Sequence, residues 1–243
     1  MGRRSKQFQE ESEDNTFGIR RMKPKVEPFN LTNVEPMTEN QRLMMEAFDG
    51  DYNVIASGTA GTGKSFIATY LALKKLLTKK VEKIIIVRSA VNIRSQGFLP
   101  GSLEEKESVF TIPYKEIVDK LCQNGTAWEC LTKKRFIQFI STSYIRGITL
   151  DNCVVIFDEF QNADSSECES MLTRMGENCQ IILCGDTRQN DLKRKREESC
   201  YDWLMKLVTS EELEDWFEVI KFSRHDIVRS ELCKAIITAI ERM

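Results

Sequence analysis

The residues best suited to chemistry sit where apolar runs break into polar ones. Gly58-Thr59-Ala60-Gly61-Thr62-Gly63-Lys64-Ser65 follows the stretch NVIAS and opens a run with helical periodicity. The spacing is G-x-x-x-x-G-K-S in a strand–loop–helix setting, the context this motif requires. Glycines let the backbone curl until its N–H groups face an anion, and the following helix adds its positive N-terminal end. Lys64 can then reach the β- and γ-phosphates of a nucleotide, and the Ser65 hydroxyl can ligate Mg²⁺. Gly58 through Ser65 are the expected nucleotide-binding residues.

A second cluster, Asp158-Glu159, ends the apolar run CVVIF. Asp158 is expected to hold Mg²⁺, directly or through water, and Glu159 to act as general base on an attacking water. Acids here also suit a simple cap on the helix that follows; the upstream P-loop tips the reading towards a site. An acid pair points to hydrolysis more than to transfer onto a small molecule, because a water nucleophile needs its own base. The third cluster follows Ile181–Cys184 and reads Gly185-Asp186-Thr187-Arg188-Gln189-Asn190-Asp191. If its strand lies beside the Asp158 strand, Gln189 can hydrogen-bond the γ-phosphate or the water, since an amide donates and accepts at once. The other reading is a turn rich in Gly, Asp and Asn for ordinary loop reasons.

Elements must bring these clusters together. Strands are expected over NVIAS, KIIIVR, RFIQFIS, CVVIFDE, CQIILCGD and WFEVIKF. Helices are expected over MTENQRLMMEAF, GKSFIATYLALKKLLTKK, PYKEIVDKLCQNG (closed by Gly125), SSECESMLTRMG and RSELCKAIITAIERM. Thr38 is the expected N-cap of the first helix, with Gln41 completing a capping box. Strands apolar on both faces, alternating with helices, predict an α/β fold with a mostly parallel sheet covered on both sides. Ligands in such sheets bind at the carboxyl ends of the strands, where all three clusters fall.

With 243 residues, 41% of them hydrophobic and a net charge of −2, the chain reads as one globular domain over 34–243 behind a flexible charged tail over 1–33. The charge argues against a wholly basic nucleic-acid binder. No apolar stretch reaches the roughly 18 residues of a membrane span, and MGRRSKQFQEESEDN lacks the core of a signal peptide. The eight cysteines form no C-x-x-C pair and there is one histidine, His225. The expectation is a cytoplasmic protein with reduced thiols.

Several segments, in order, resemble the PhoH family of P-loop ATPases: GTAGTGKS, IIIVRSAV, GFLPGSLEEK, PYKEIVDKL, YIRGITL, FDEFQNAD, LTRMG, GDTRQNDL and HDIVRSELCKAI. The resemblance begins near Met37 and implies a three-layer, RecA-like domain similar to the motor of superfamily 1 helicases. It implies ATP and Mg²⁺ as ligands, Asp158 and Glu159 as the metal and base carboxylates, and Gln189 as phosphate sensor. Superfamily 1 motors also read adenine with a Gln ahead of the P-loop. Gln41 is the candidate, and that role and the capping role stand side by side. Arg88-Ser89-Ala90-Val91 departs from the usual Arg-Pro-Ala-Val, and KRKREE after Leu192 is more charged than the family pattern.

A transition-state arginine is worth about 10³–10⁵ in rate where it operates. Arg146, Arg174, Arg224 and Arg229 are candidates, with Arg229 and Arg224 favoured because they follow the last strand; a surface ion pair is the plain alternative for each. The resemblance implies a homo-oligomeric ring, a hexamer, in which one copy can serve its neighbour. Arg88, Arg94, Arg188 and Lys193 to Arg196 are basic positions on expected sheet-end loops, with Phe98 as a stacking candidate. They suit single-stranded RNA or DNA, although KRKREE also reads as a solvated loop. A nucleotide switch that assembles with a protein partner is the competing reading.

Overall fold

The computed structural model describes residues 29–89, 103–186 and 200–241. Gln189, Arg94, Phe98, Arg188, the run from Lys193 to Arg196 and most of the expected tail lie outside the described residues. Six strands form one sheet: β1 (Asn53–Gly58), β2 (Lys83–Arg88), β3 (Ile137–Ser141), β4 (Cys153–Asp158), β5 (Cys179–Gly185) and β6 (Phe217–Phe222). Their order is β3-β2-β4-β5-β1-β6 and every pairing is parallel. Side chains on a strand alternate between faces, so each buried strand feeds two cores. Val154 and Ile156 of β4 pack with one cluster. Cys153, Val155 and Phe157 pack with the other.

The first face carries α1 (Glu39–Asp49), α2 (Lys64–Leu77), α3 (Leu103–Leu121) and α4 (Ala127–Lys133). The second carries α5 (Ser165–Leu172) and α6 (Cys200–Val208). The last helix is α7 (Glu231–Glu241). The expected tail is not featureless to its end, because Phe29 and Leu31 pack against the first core and Thr32 N donates to Leu121 O.

Three differences from the sequence reading have physical causes. The helix expected from Pro113 begins at Leu103 and holds Pro113 inside it. Proline favours a helix start because it lacks an N–H, but its fixed φ is also helical, so an interior position costs one backbone bond and some strain. Neither α4 nor α6 was expected; both are short. Cys168 on α5 and Cys200 at the start of α6 form a disulfide, with Cα atoms 6.2 Å apart, where reduced thiols were expected. The two helices pack on the same face of the sheet, which brings both buried side chains within disulfide reach. Among the described residues no helix is long and apolar enough to cross a membrane.

Candidate nucleotide-binding and hydrolysis site

The P-loop connects β1 to α2. Gly58 has φ +121°, and a Cβ there would lie 1.9 Å from the Phe222 carbonyl oxygen on β6, so only glycine fits. Thr59 N donates to that same oxygen at 3.2 Å, and Val228 N donates to Gly61 O at 3.1 Å. Gly63, in the left-handed region, caps α2. The loop is thus pinned by the end of β6 and the segment after it.

Gln41 pins it from the other side. Its Nε2 donates to Thr62 O at 2.9 Å, while its Oε1 accepts from Met37 N at 2.8 Å. Thr38 Oγ1 accepts from Gln41 N, as an N-cap should. The reciprocal bond lands on Met37 rather than on Thr38, one residue earlier than in a capping box. Gln41 also lines a cavity of about 500 Å³ beside the loop, with Gly61, Gly63, Phe66, Val228 and Arg229.

Lys64 Nζ donates to Gly58 O (2.9 Å), Thr59 O (2.7 Å) and Thr62 Oγ1 (3.3 Å). Burial presses its pKa below the usual lysine value, and Asp186, Asp158 and Glu159 counter that in part. Ser65 Oγ donates to Asp158 Oδ1 at 2.9 Å. The P-loop serine and the first acid therefore meet across the sheet, with β5 between β1 and β4. A hydroxyl and a carboxylate oxygen are the hard donors that Mg²⁺ takes, so these two residues fit that ion.

Glu159 follows in a left-handed conformation, φ +55°. Its Oε2 accepts from Gln161 Nε2 at 2.5 Å, and Gln161 Oε1 accepts from Asp186 N at 3.0 Å. Burial, then the charge of Asp158, pushes its carboxyl above the usual range. Asp158 pairs in register with Cys184, so the end of β5 lies beside the acids as expected. The described residues stop at Asp186, before Gln189.

Two partners of the acids were not anticipated. Tyr114, fully buried on α3, donates its hydroxyl to Asp158 Oδ2. Arg88 ends β2 with Nη2 3.5 Å from Asp158 Oδ2 and 3.8 Å from Glu159 Oε1. Both residues sit inside motifs quoted above, but no local pattern ties either to residues near position 158. Among the arginines considered earlier, Arg146, Arg224 and Arg229 are exposed. Arg229 packs its side chain on Gly61. Arg174 O accepts from Leu150 N beside the Leu150–Met175 bridge, at the entry ends of β4 and β5.

A G-x-x-x-x-G-K-S loop after the first strand, an acid pair at the end of β4 and a parallel sheet with helices on both faces define a P-loop NTPase. The family model described as PhoH-like protein matches residues 33–241, and the chain belongs to that family. It is 34% identical over 209 residues to a PhoH-like protein of Bacillus subtilis (84% of this chain, 63% of that one). It is 31% identical over 203 residues to Protein PhoH of Escherichia coli K12 (83% and 56%). The chain thus spans about three fifths of the length of these relatives. Among solved structures, the large terminase of a thermophilic bacteriophage aligns with a TM-score of 0.47 at 12% identity, over 82% of this chain and 48% of that one.

Proposed function

We propose that the protein is a Mg²⁺-dependent ATPase whose hydrolysis is coupled to single-stranded RNA or DNA, and that it works in the cytoplasm. The observation that carries the hydrolytic reading is the meeting of Ser65 and Asp158 at 2.9 Å, with Glu159 next in the chain. Phosphate grip, metal ligands and base thereby share one edge of the sheet. Ser65 and Asp158 would hold Mg²⁺, which when bound shields charge on the β- and γ-phosphates. Lys64 exchanges its loop oxygens for phosphate oxygens. Glu159 takes a proton from the attacking water as that oxygen bonds to the γ-phosphorus. The bond to the β–γ bridging oxygen breaks, and its electron pair leaves with ADP. Gln189 is assigned the sensor role.

The cavity lined by Gln41, Phe66, Val228 and Arg229 supports a place for the adenine. Both ends of the Gln41 amide are already engaged, so reading a base there exchanges one existing hydrogen bond. A ring of copies, hexameric by family resemblance, is supported by Leu232, Ile236 and Ile240, exposed at i, i+4, i+8 on α7. That helix adjoins the site: a Cβ on Gly61 would lie 3.4 Å from Ile237. In such a ring Arg224 or Arg229 would serve a neighbour, and the same surface favours the second reading, an assembly switch acting on a protein partner.

The test is phosphate release from Mg²⁺-ATP with and without single strands, beside anisotropy of labelled strands across a salt series. Coupling predicts stimulation that Lys64→Ala abolishes, and affinity that falls steeply with salt. Turnover indifferent to both polymers, with no binding at about 50 mM salt, the low end of that range, would leave the assembly switch.

A further inference from the structure

Arg88 is held in an unusual way. Its side chain is only 17% exposed, yet its Nε has no hydrogen-bond partner among the described residues. Its Nη2 stands 3.5 and 3.8 Å from the two acids, beyond the roughly 2.7–2.9 Å of a charge-assisted bond. The guanidinium carbon lies 5.9 Å from the ring centres of both Phe110 and Tyr114. Aromatic faces attract the cation, and Tyr114 also hydrogen-bonds the Arg88 side chain. The group is therefore fixed in place while part of its donor fork stays unspent. An unsatisfied buried donor costs about 1–3 kcal/mol, and such atoms ask for an explanation, a catalytic role among them.

Tyr114 explains why Arg88 is not drawn onto Asp158. The tyrosine hydroxyl donates to Oδ2 and the Ser65 hydroxyl to Oδ1, so each oxygen of that carboxylate has a donor at close range. The hydrolytic reading puts the γ-phosphate between Lys64 and Glu159, and Arg88 faces Glu159. Arg229 instead packs on the outer side of the loop at Gly61, and Arg224 lies exposed beyond β6.

We propose that Arg88 is a catalytic arginine supplied in cis, its guanidinium meeting the γ-phosphate oxygens as hydrolysis proceeds, and that Tyr114 is the positioning residue that lets it do so by holding Asp158. The inference rests on the ATPase reading above. Arg88 is already near the acids and its ring contacts hold it there, so its donors meet the growing negative charge with little rearrangement, the condition under which such contacts lower a barrier most.

The experiment uses the full chain and four variants: Arg88→Ala, Arg88→Lys, Tyr114→Phe and Lys64→Ala. Three quantities are read for each: phosphate release, affinity for a fluorescent ATP analogue, and affinity for ADP with aluminium fluoride, with thermal melting to confirm folding. Arg88→Ala should lower kcat by about 10³-fold or more and weaken aluminium-fluoride trapping, with ATP-analogue affinity little changed. Arg88→Lys should fold as wild type and recover only part of kcat, because an ammonium lacks the planar fork. Tyr114→Phe should raise the Mg²⁺ concentration needed for tight ATP-analogue binding, a shift that mere loosening of α3 would not cause.

Mixing Arg88→Ala with Lys64→Ala separates the two sources of an arginine. Each variant alone is inactive, and a cis arginine leaves the mixture inactive. Restored turnover on mixing would overturn the proposal in favour of supply by a neighbour. So would Arg88→Ala with near wild-type kcat, or with equal losses in ATP and aluminium-fluoride affinity. Wild-type protein that binds Mg²⁺-ATP and hydrolyses none would sink the ATPase reading itself and the inference with it.

Discussion

On the P-loop flank of the site, Lys64 Nζ has three oxygen acceptors and the Gln41 amide is engaged at both ends. On the acid flank, Arg88 Nε has no acceptor among the described residues and Glu159 carries a raised pKa beside a second carboxylate. The first flank fixes the loop's shape before any phosphate arrives. The second keeps like charges together and leaves a buried donor unmatched. Satisfied groups hold the loop, and the unsatisfied ones gather around the acids.

Replacing Glu159, the proposed base, should break the contrast most sharply. Glu159→Gln is expected to slow phosphate release by about 10²–10⁴-fold while ATP still binds. It should also stabilise the nucleotide-free fold. Burial and Asp158 raise the folded pKa of Glu159 above the ordinary 4.5. The residue's favourable contribution is then complete below that value and is lost as pH climbs through the folded pKa. At neutral pH the ionised side chain therefore costs stability, and the amide removes that cost. The melting temperature should rise by about 2–4 °C for each kcal/mol recovered, and the gain should vanish once both states are protonated. A neutral-pH melting temperature below wild type would refute this account of the acid flank.

Gly185→Ala probes how that flank is packed. An added Cβ would fall 2.6 Å from Gln161 Oε1 and 2.7 Å from Phe160 Cε1. Overpacking of this kind costs about 1–3 kcal/mol, and displacing Gln161 also releases its hold on Glu159. Denaturant midpoint and phosphate release should therefore fall together; a stability loss with unchanged turnover would remove Gln161 from the site. The smallest effect is expected across the sheet. Thr38→Ala removes the cap of α1 and about 0.5–2 kcal/mol. The loop keeps its bonds from Phe222 and Val228, so the KM for ATP should stay within a few-fold. A tenfold rise would show that the P-loop flank depends on α1 more than its hydrogen bonds suggest.

The same two flanks differ in how far the sequence discloses them. The P-loop is contiguous, and each strand is an apolar run with a polar break, so loop, strands and the Asp158–Cys184 neighbourhood could be read locally. Tyr114 could not, because its partner lies 44 residues away and nothing in PYKEI marks a hydroxyl aimed at an acid. Pro113, its neighbour, misdirected the helix start as well. Arg88 was legible as basic and near a strand end, but only sheet order places β2 next to β4. All of α6 was missed although Cys200, Leu204 and Val208 are buried at helical spacing, because nine residues give a weak periodic signal.

The close approach of Gly58 to Phe222, with the hydrogen bonds from Thr59 and Val228, also orders events during synthesis. Residues 58–65 leave the ribosome roughly 160 residues before the segment that braces them. A chain halted before β6 carries the phosphate-binding motif without its brace: Thr59 N and Gly61 O have lost the partners that set the curl. Nucleotide then selects for the finished fold, and its binding energy stabilises completed chains over unfinished ones. For a newly made molecule, a nucleotide at this loop would act as a late inspector of assembly.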